Sequence, residues 1–343
     1  MGGMIDALLS ALRERPRFAS LDAADLDPLP ATGTAHGHVA LPGGRLARIA
    51  YAHDGDPTAA ARLATQAEAF HHLEPAGRTP RLHDIVPPRR GLPGGALIVD
   101  RVEGHAPRLP GDLAAMADTL ARLHALPLPP PGSSIPTMAD PLRETLAGIE
   151  QNAARFLDRA VPAAEARAAI RAELEAMRAL AAGAPGTQPL CLALADTHPG
   201  NFLVDRAGVA WFLDLEKVHV GSPAIDLAHA TLPTSTLWHP DVGTVLSRAE
   251  VEGFVDTYLE AVGAARAAAL RPWLAPMRRL TWLRTTLFMA RWRVQTRSPR
   301  DPADPGQWSD AGLDPAMRAH IDRCIDRCLA TDMVRSVRSG WMA

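Results

Sequence analysis

The chain has 343 residues, enough for one large or two modest domains. Its 47% hydrophobic and 22% charged content are those of an ordinary globular protein, and a net charge of −2 leaves no global footprint for nucleic acid or a membrane surface. Cys191, Cys324 and Cys328 make no disulfide framework, no run approaches bilayer-spanning length, and the first residues lack a basic region ahead of a long apolar core, so a reducing, cytoplasmic setting is expected.

Met4, Ile5, Leu8, Leu9 and Leu12 stand at helical spacing. That face suits packing on the first lobe, or a partner, and packing is favoured. Residues 20–30 are acidic and Pro-punctuated, and read as irregular. Residues 32–41 and 44–51 read as strands around a Pro42-Gly43-Gly44 turn. Pro57 to Leu73 reads as a helix, with Leu63, Ala67 and Phe70 on one face and Glu68 on its flank. Thr79 to Leu82 leads into two more strands, the second ending near residues 96–104.

From Pro110 the pattern turns helical. Leu113, Met116, Leu120 and Leu123 mark one helix, with Asp112 as candidate N-cap. Residues 127–134 are a Pro-rich connector. Pro162 to Ala182 is a second helix, with Pro in its first turn and Gly183 past its end. Ser247-Arg248-Ala249-Glu250 is a capping box opening a third. Leu280 to Gln295 is a fourth, carrying Trp282, Arg284, Arg291 and Trp292.

The densest chemistry lies between residues 194 and 230. Leu194-Ala195-Asp196-Thr197-His198-Pro199-Gly200-Asn201 leads into the apolar run Phe202-Leu203-Val204. A turn follows at 206–208, and then Val209-Ala210-Trp211-Phe212-Leu213-Asp214-Leu215-Glu216. Two short apolar runs around a Gly-containing turn predict a β-hairpin. Its open end holds Asn201 beside Asp214, with Asp196 in the approach loop. Amide and carboxylate oxygens there suit Mg²⁺ that keeps waters and phosphates as its other ligands. A separate Asp can orient an attacking hydroxyl and accept its proton. This is the division of labour in kinase-type phosphoryl transfer.

Asp196-x-x-x-x-Asn201, then Phe-Leu-Asp-Leu-Glu, then Gly221-Ser222-Pro223-Ala224-Ile225-Asp226-Leu227-Ala228 resemble the aminoglycoside phosphotransferase and choline kinase superfamily in order and spacing. The resemblance covers about residues 30–295. It implies an α+β, two-lobed protein-kinase-like fold. A small antiparallel-sheet lobe, residues 1–103, binds nucleotide, and a larger, mainly helical lobe, residues 104–343, holds catalysis and the acceptor. It implies Asp196 as catalytic base, Asn201 and Asp214 as metal ligands, and Asp226 as a brace for the catalytic loop. ATP and Mg²⁺ follow as cofactors, and a small-molecule alcohol as acceptor.

In such a lobe Gly33 and Gly37 would let backbone approach the phosphates. Two glycines four apart serve turn geometry equally well. Arg48 falls where the family places a strand Lys or Arg, and Glu68 is its expected ion-pair partner. Backbone near Arg101 and Val102 would meet adenine. The family's loop His and Gly are here Leu194 and Ala195. Lys217 is the sole lysine, so any other lysine role must pass to arginine or go unfilled. Lys217 itself suits either a phosphoryl or anionic-acceptor contact near Asp214, or a pair with Glu216 or another acid that holds the segment in place.

Two further groupings invite chemistry. His320, Cys324 and Cys328 share a helical stripe, but no fourth zinc ligand is evident, and a packed face is favoured. Trp282, Trp292, Arg284 and Arg291 could line an acceptor pocket, or form a core helix with snorkelling arginines. Arginine-rich C-terminal helices argue against a polycationic acceptor. A nucleotide-binding pseudokinase or regulatory module is the alternative, should the changes at Leu194 and Ala195 and the missing strand lysine abolish turnover. A protein kinase is a weaker choice, since no clear activation segment lies between Asp214 and Asp226.

Overall fold

The computed structural model describes residues 2–30, 36–53, 56–183, 186–299, 307–308, 310 and 313–341; Gly33 lies outside the described residues. Helix α1 (Gly2–Arg13) buries Leu8, Leu9, Ala11 and Leu12, so its apolar face packs within the chain. Strands β1 (Asp27–Pro28), β2 (His36–Leu41) and β3 (Arg45–Ala50) form an antiparallel meander. Its β2–β3 turn needs glycine twice, at Gly43 and Gly44 with φ of 73° and 67°. Helix α2 (Ala59–Leu73) follows, then β4 (Leu82–Val86) and β5 (Ala96–Asp100), giving a five-stranded sheet of order β1-β2-β3-β5-β4.

Strand alternation splits this sheet between two cores. Ala96 and Ile98 join Val39, Ala47 and Ile49 under α1, while Leu97 and Val99 join Leu63, Phe70 and Leu73 of α2 in the large core. Arg48 pairs with His38 in the β2–β3 register and therefore shares the second face.

The rest is mainly helical. Helices α3 (Leu113–His124), α4 (Pro141–Ala160) and α5 (Ala164–Gly183) precede four short strands: β6 (Cys191–Ala193), β7 (Phe202–Val204), β8 (Ala210–Phe212) and β9 (His219–Gly221). β6 pairs with β9, and β7 with β8. Then come α6 (Pro223–Thr231), α7 (Pro233–Thr236), α8 (Arg248–Val262), α9 (Ala264–Arg297), α10 (Pro315–Cys328) and α11 (Thr331–Ser339). Ser247 caps α8 reciprocally with Glu250. Asp112 stands at the start of α3, but its carboxylate takes the Arg108 amide at 2.6 Å rather than a helix N–H.

Two helices exceed expectation. α4 carries full start signals, an Asp140 side-chain cap and Pro141 at its first turn. α9 runs 34 residues, straight through Pro272 and Pro276. Packing of α9 against α4, α5 and α6 holds it together where proline removes backbone donors. No helix among the described residues is long and apolar enough to cross a membrane.

Candidate active site

The approach loop is held by its backbone. The amides of Leu194 and Ala195 donate to the Asp226 carboxylate at 2.6 and 2.8 Å. Asp226 is fully buried in the first turn of α6 and also meets His124 Nε2 at 3.0 Å, while His124 Nδ1 reaches the Tyr258 hydroxyl at 2.9 Å. Thr197 Oγ1 donates to the Asp226 carbonyl at 2.7 Å. The loop is thus tied to α3, α6 and α8. Ala195 sits at φ 64°, the left-handed region that favours glycine.

The hairpin forms as its residues dictate. Phe202 packs on Phe212 with ring centroids 5.0 Å apart, and Asp205 ties the turn by accepting from Ala207, Val209 and Trp211 Nε1. Pairing runs one step beyond the strands, because Leu213 N donates to Asn201 O at 3.0 Å. Asn201 therefore lies beside the Leu213–Asp214 segment. Its Nδ2 donates to the Asp196 carbonyl at 2.8 Å, which orients the carboxamide.

Arg48 reaches from β3 into this end of the hairpin. Its guanidinium donates to Leu213 O at 2.5 Å and to the Asp214 carboxylate, and lies 3.3 Å from His36 Nδ1. Burial pushes the Asp214 carboxyl up, but Arg48 outweighs it and the net direction is down. Burial and Arg48 together take His36 down to about 3, so its imidazole is neutral at neutral pH. Burial and the neighbouring Asp214 raise Glu216. One ligand atom each from His36, Asp214 and Glu216 lie within 4.8 Å of one another.

Lys217 meets Asp196, with Nζ 2.6 Å from Oδ2, and sits 3.7 Å from Glu216 Oε1. Burial alone raises Asp196; Lys217, His198 and His229 overcome it and hold the carboxyl well below the usual range. His229 Nδ1 is 3.9 Å from Asp196 Oδ1.

A cavity of about 630 Å³ spans the site. His36, His38 and Arg48 form one end, Asp196, Asn201, Asp214 and Lys217 the middle, and Trp238, Phe288, Trp292 and Trp308 the other end. Arg284 donates to the Ala195 carbonyl at 2.9 Å, and Arg291 lies 4.0 Å over the Trp308 ring. A separate cavity of about 720 Å³, between α5, α9 and α11, is lined in part by Glu173, which is already held by Arg279 and Arg338.

Several expectations need correction. Arg48 and Glu68 do not pair: Glu68 accepts from the Ser134 amide at 2.9 Å and from its hydroxyl at 2.5 Å, on the Pro-rich connector. Strand alternation puts Arg48 on the same face as α2, but its guanidinium is taken up by Leu213 O and Asp214 of the hairpin, while Glu68 is held by the connector. Gly37 pairs with Ile49 on the face opposite His36 and His38, where an added Cβ would meet the Tyr51 hydroxyl at 3.0 Å. It makes room for Tyr51. The Arg101 amide is committed to Gly44 O at 2.9 Å and so is not free to meet adenine. Trp282 is fully buried and packs on Trp341, away from the pocket. One expectation needs no change: His320 Nε2 meets the carbonyls of Leu237 and Trp238 at 3.1 Å, and Cys324 and Cys328 are buried, so that stripe is the packed face favoured from the sequence.

Other cavity residues escaped the sequence. His198 lies inside the loop motif and His229 three residues after Asp226, so both had a positional signal. His36, Trp238 and Trp308 had none, since only tertiary packing brings them to the site.

The family model described as Phosphotransferase enzyme family matches residues 48–276, well over half of the chain. The fold is the two-lobed protein-kinase-like one. A choline/ethanolamine kinase family protein from Mesorhizobium loti superposes with TM-score 0.58 at 18% identity, covering 99% of this chain and 100% of that one. A GDP complex of aminoglycoside 2'-phosphotransferase-IIIa gives TM-score 0.61 at 12% identity, with 95% and 98% covered. Macrolide 2'-phosphotransferase from Brachybacterium faecium gives 0.56 at 17%, with 94% and 97% covered. No curated protein matches the chain significantly.

Proposed function

The chain belongs to the phosphotransferase enzyme family, and on that premise we propose that it moves the γ-phosphoryl group of ATP, with Mg²⁺, to a hydroxyl of a small molecule. The observation that carries this reading is a single cavity lined by Asp196, Asn201 and Asp214, with an aromatic-walled space beyond them. We divide the chain into a nucleotide-binding lobe, residues 1–103, and a catalytic and acceptor lobe, residues 104–343.

The donor set fits a hard divalent cation. Asp214 and Glu216 supply clustered oxygens, and Asn201 Nδ2 is spent on the Asp196 carbonyl, which leaves Oδ1 as the carboxamide's acceptor. Asn201 and Asp214 are the assigned ligands. When bound, the ion supplies charge neutralisation on the β- and γ-phosphates. Arg48 contributes a permanent positive charge beside them. Asp196, kept ionised by Lys217, orients the acceptor hydroxyl and takes its proton. Lys217 presents a compact ammonium to the transferred group or holds Asp196 in place.

The test is ATP consumption with Mg²⁺ over a panel of metabolite alcohols. Alcohol-dependent ADP release is expected. Nucleotide binding with no transfer to any alcohol would instead leave a nucleotide-binding module.

A further inference from the structure

We propose that the acceptor is an anionic alcohol, a hydroxyl compound carrying a carboxylate on an apolar ring body, with Arg284 and Ser235 holding the carboxylate and the Trp238–Phe288–Trp292–Trp308 wall holding the ring. The proposal rests on the phosphotransferase reading and adds the substrate class.

The charges in the cavity are partitioned. Its carboxylates are Asp196, Asp214 and Glu216, and each already faces a cation: Lys217 for Asp196 and Glu216, Arg48 for Asp214. The aromatic end holds Arg284 and Arg291 and no carboxylate among the described lining residues. Among the described lining residues a polyamine or quaternary ammonium would find no counter-charge there. The Trp308 face is also taken, because the Arg291 guanidinium lies 4.0 Å over it where a ligand cation would stack.

Donors await an anion at the same end. Arg284 has one hydrogen bond, to the Ala195 carbonyl, and its buried Nε has none among the described residues. No carboxylate of the described residues lies within ion-pair distance of this half-buried guanidinium; Asp196 and Asp226 act on it only from farther off. Ser235, 1% exposed, has a buried hydroxyl with no hydrogen-bond partner among the described residues. The Thr234–Thr285 hydroxyl contact at 2.7 Å joins α7 to α9, the helices that carry Ser235 and Arg284, and both residues line the cavity. A buried donor without a partner costs free energy that a ligand acceptor recovers. Arg284 touches the backbone just before Asp196, so an anion held there keeps the acceptor in the same cavity as the base.

The experiment uses the full chain with Mg-ATP and three alcohols on one skeleton: para-hydroxymethylbenzoate, the matching benzamide and the matching benzylamine, with choline and kanamycin alongside. Acceptor affinity is read by calorimetry in the presence of a non-hydrolysable ATP analogue, and turnover by ADP release. The benzoate should exceed the benzamide by roughly 10- to 10²-fold, the range for a hydrogen bond to a charged group, with the benzylamine weakest. Arg284→Met should bring the benzoate-to-benzamide ratio to near one, and Arg284→Lys should restore part of it. Because Arg284 also bonds the catalytic loop, so that its loss disturbs more than the ligand site, Ser235→Ala is the second probe. It removes a hydroxyl that bonds nothing in the described fold, and should lower the same ratio several-fold. Preference for the benzylamine, choline or kanamycin overturns the proposal, as does a carboxylate advantage that is absent from the parent or survives in both variants. If Mg-ATP itself fails to bind, the phosphotransferase reading falls; if it binds and the carboxylate advantage is missing, only this inference falls.

Discussion

Ala195 carries a Cβ at φ 64°, where the related families write glycine. The left-handed region costs an L-residue about 1–2 kcal/mol, and glycine's extra freedom in the unfolded chain returns part of that. Ala195→Gly should therefore stabilise the protein by roughly 0.5–1 kcal/mol, read as a higher Tm; an unchanged or lower Tm would show the loop is already relaxed. Asp196 gives a second residue-scale test. Asp196→Asn should cut turnover by about 10² to 10⁴ while nucleotide affinity changes little. Lys217 gives a third. A carboxylate whose pKa is depressed stays ionised above the ordinary range and loses its charge only as pH falls through the lowered value. Removing the ammonium raises that value, so Lys217→Ala should move the acid limb of the kcat profile to higher pH. Lys217→Arg should keep the limb but lower turnover, since a rigid fork replaces a compact charge. A limb at the same pH in both variants would make the lysine incidental. At this scale the sequence was informative: Asp196, Asn201 and Asp214 share a short stretch, and the hairpin brings them together by local rules. Lys217 was conspicuous as the sole lysine, but its partner proved to be Asp196, which periodicity cannot reveal.

Among the elements, α6 does more than its nine residues suggest. Its Asp226 takes two loop amides and His124 at once. Removing one side of a buried charged network leaves desolvated donors unmet, at a cost of about 3–5 kcal/mol. Asp226→Ala should lose roughly that in a denaturant titration and lower turnover as the loop loosens, whereas an exposed acid such as Asp158 should not. The related families support this loop with a His that is Leu194 here. Leu194 is fully buried, and the backbone-to-Asp226 bonds carry the support without that imidazole. Elements were legible where capping and hydrophobic spacing agree, as at Ser247 and Leu113–Leu123. They were misjudged where tertiary packing overrides local preference: two prolines hid the first half of α9. Glu68 was misassigned because helical spacing gives a face but not the neighbour that face meets, which is the Ser134 turn.

Across the whole molecule, the sheet and the helical lobe meet polar group to polar group at Arg48 and the Leu213–Asp214 segment. The guanidinium comes from β3, and its acceptors follow β8, over 160 positions away in the chain. That separation is why no sequence pattern forecast the pair. It also makes Arg48 a joint between the sheet and the catalytic hairpin as well as a phosphate cation, and the two roles separate by experiment. Arg48→Met removes both, leaving Asp214 buried without its main partner. Basal stability should fall by about 3 kcal/mol or more. Mg-ATP at about 100-fold its Kd should stabilise the parent by roughly 2.7 kcal/mol, and this increment should shrink in the variant if Arg48 also meets phosphate. Arg48→Lys keeps one charge for Asp214 but cannot serve Leu213 O, Asp214 and His36 together. It should fall between parent and Arg48→Met in basal stability while retaining most of the nucleotide increment. A full Mg-ATP increment in Arg48→Met would assign Arg48 to the joint alone and remove it from the nucleotide site.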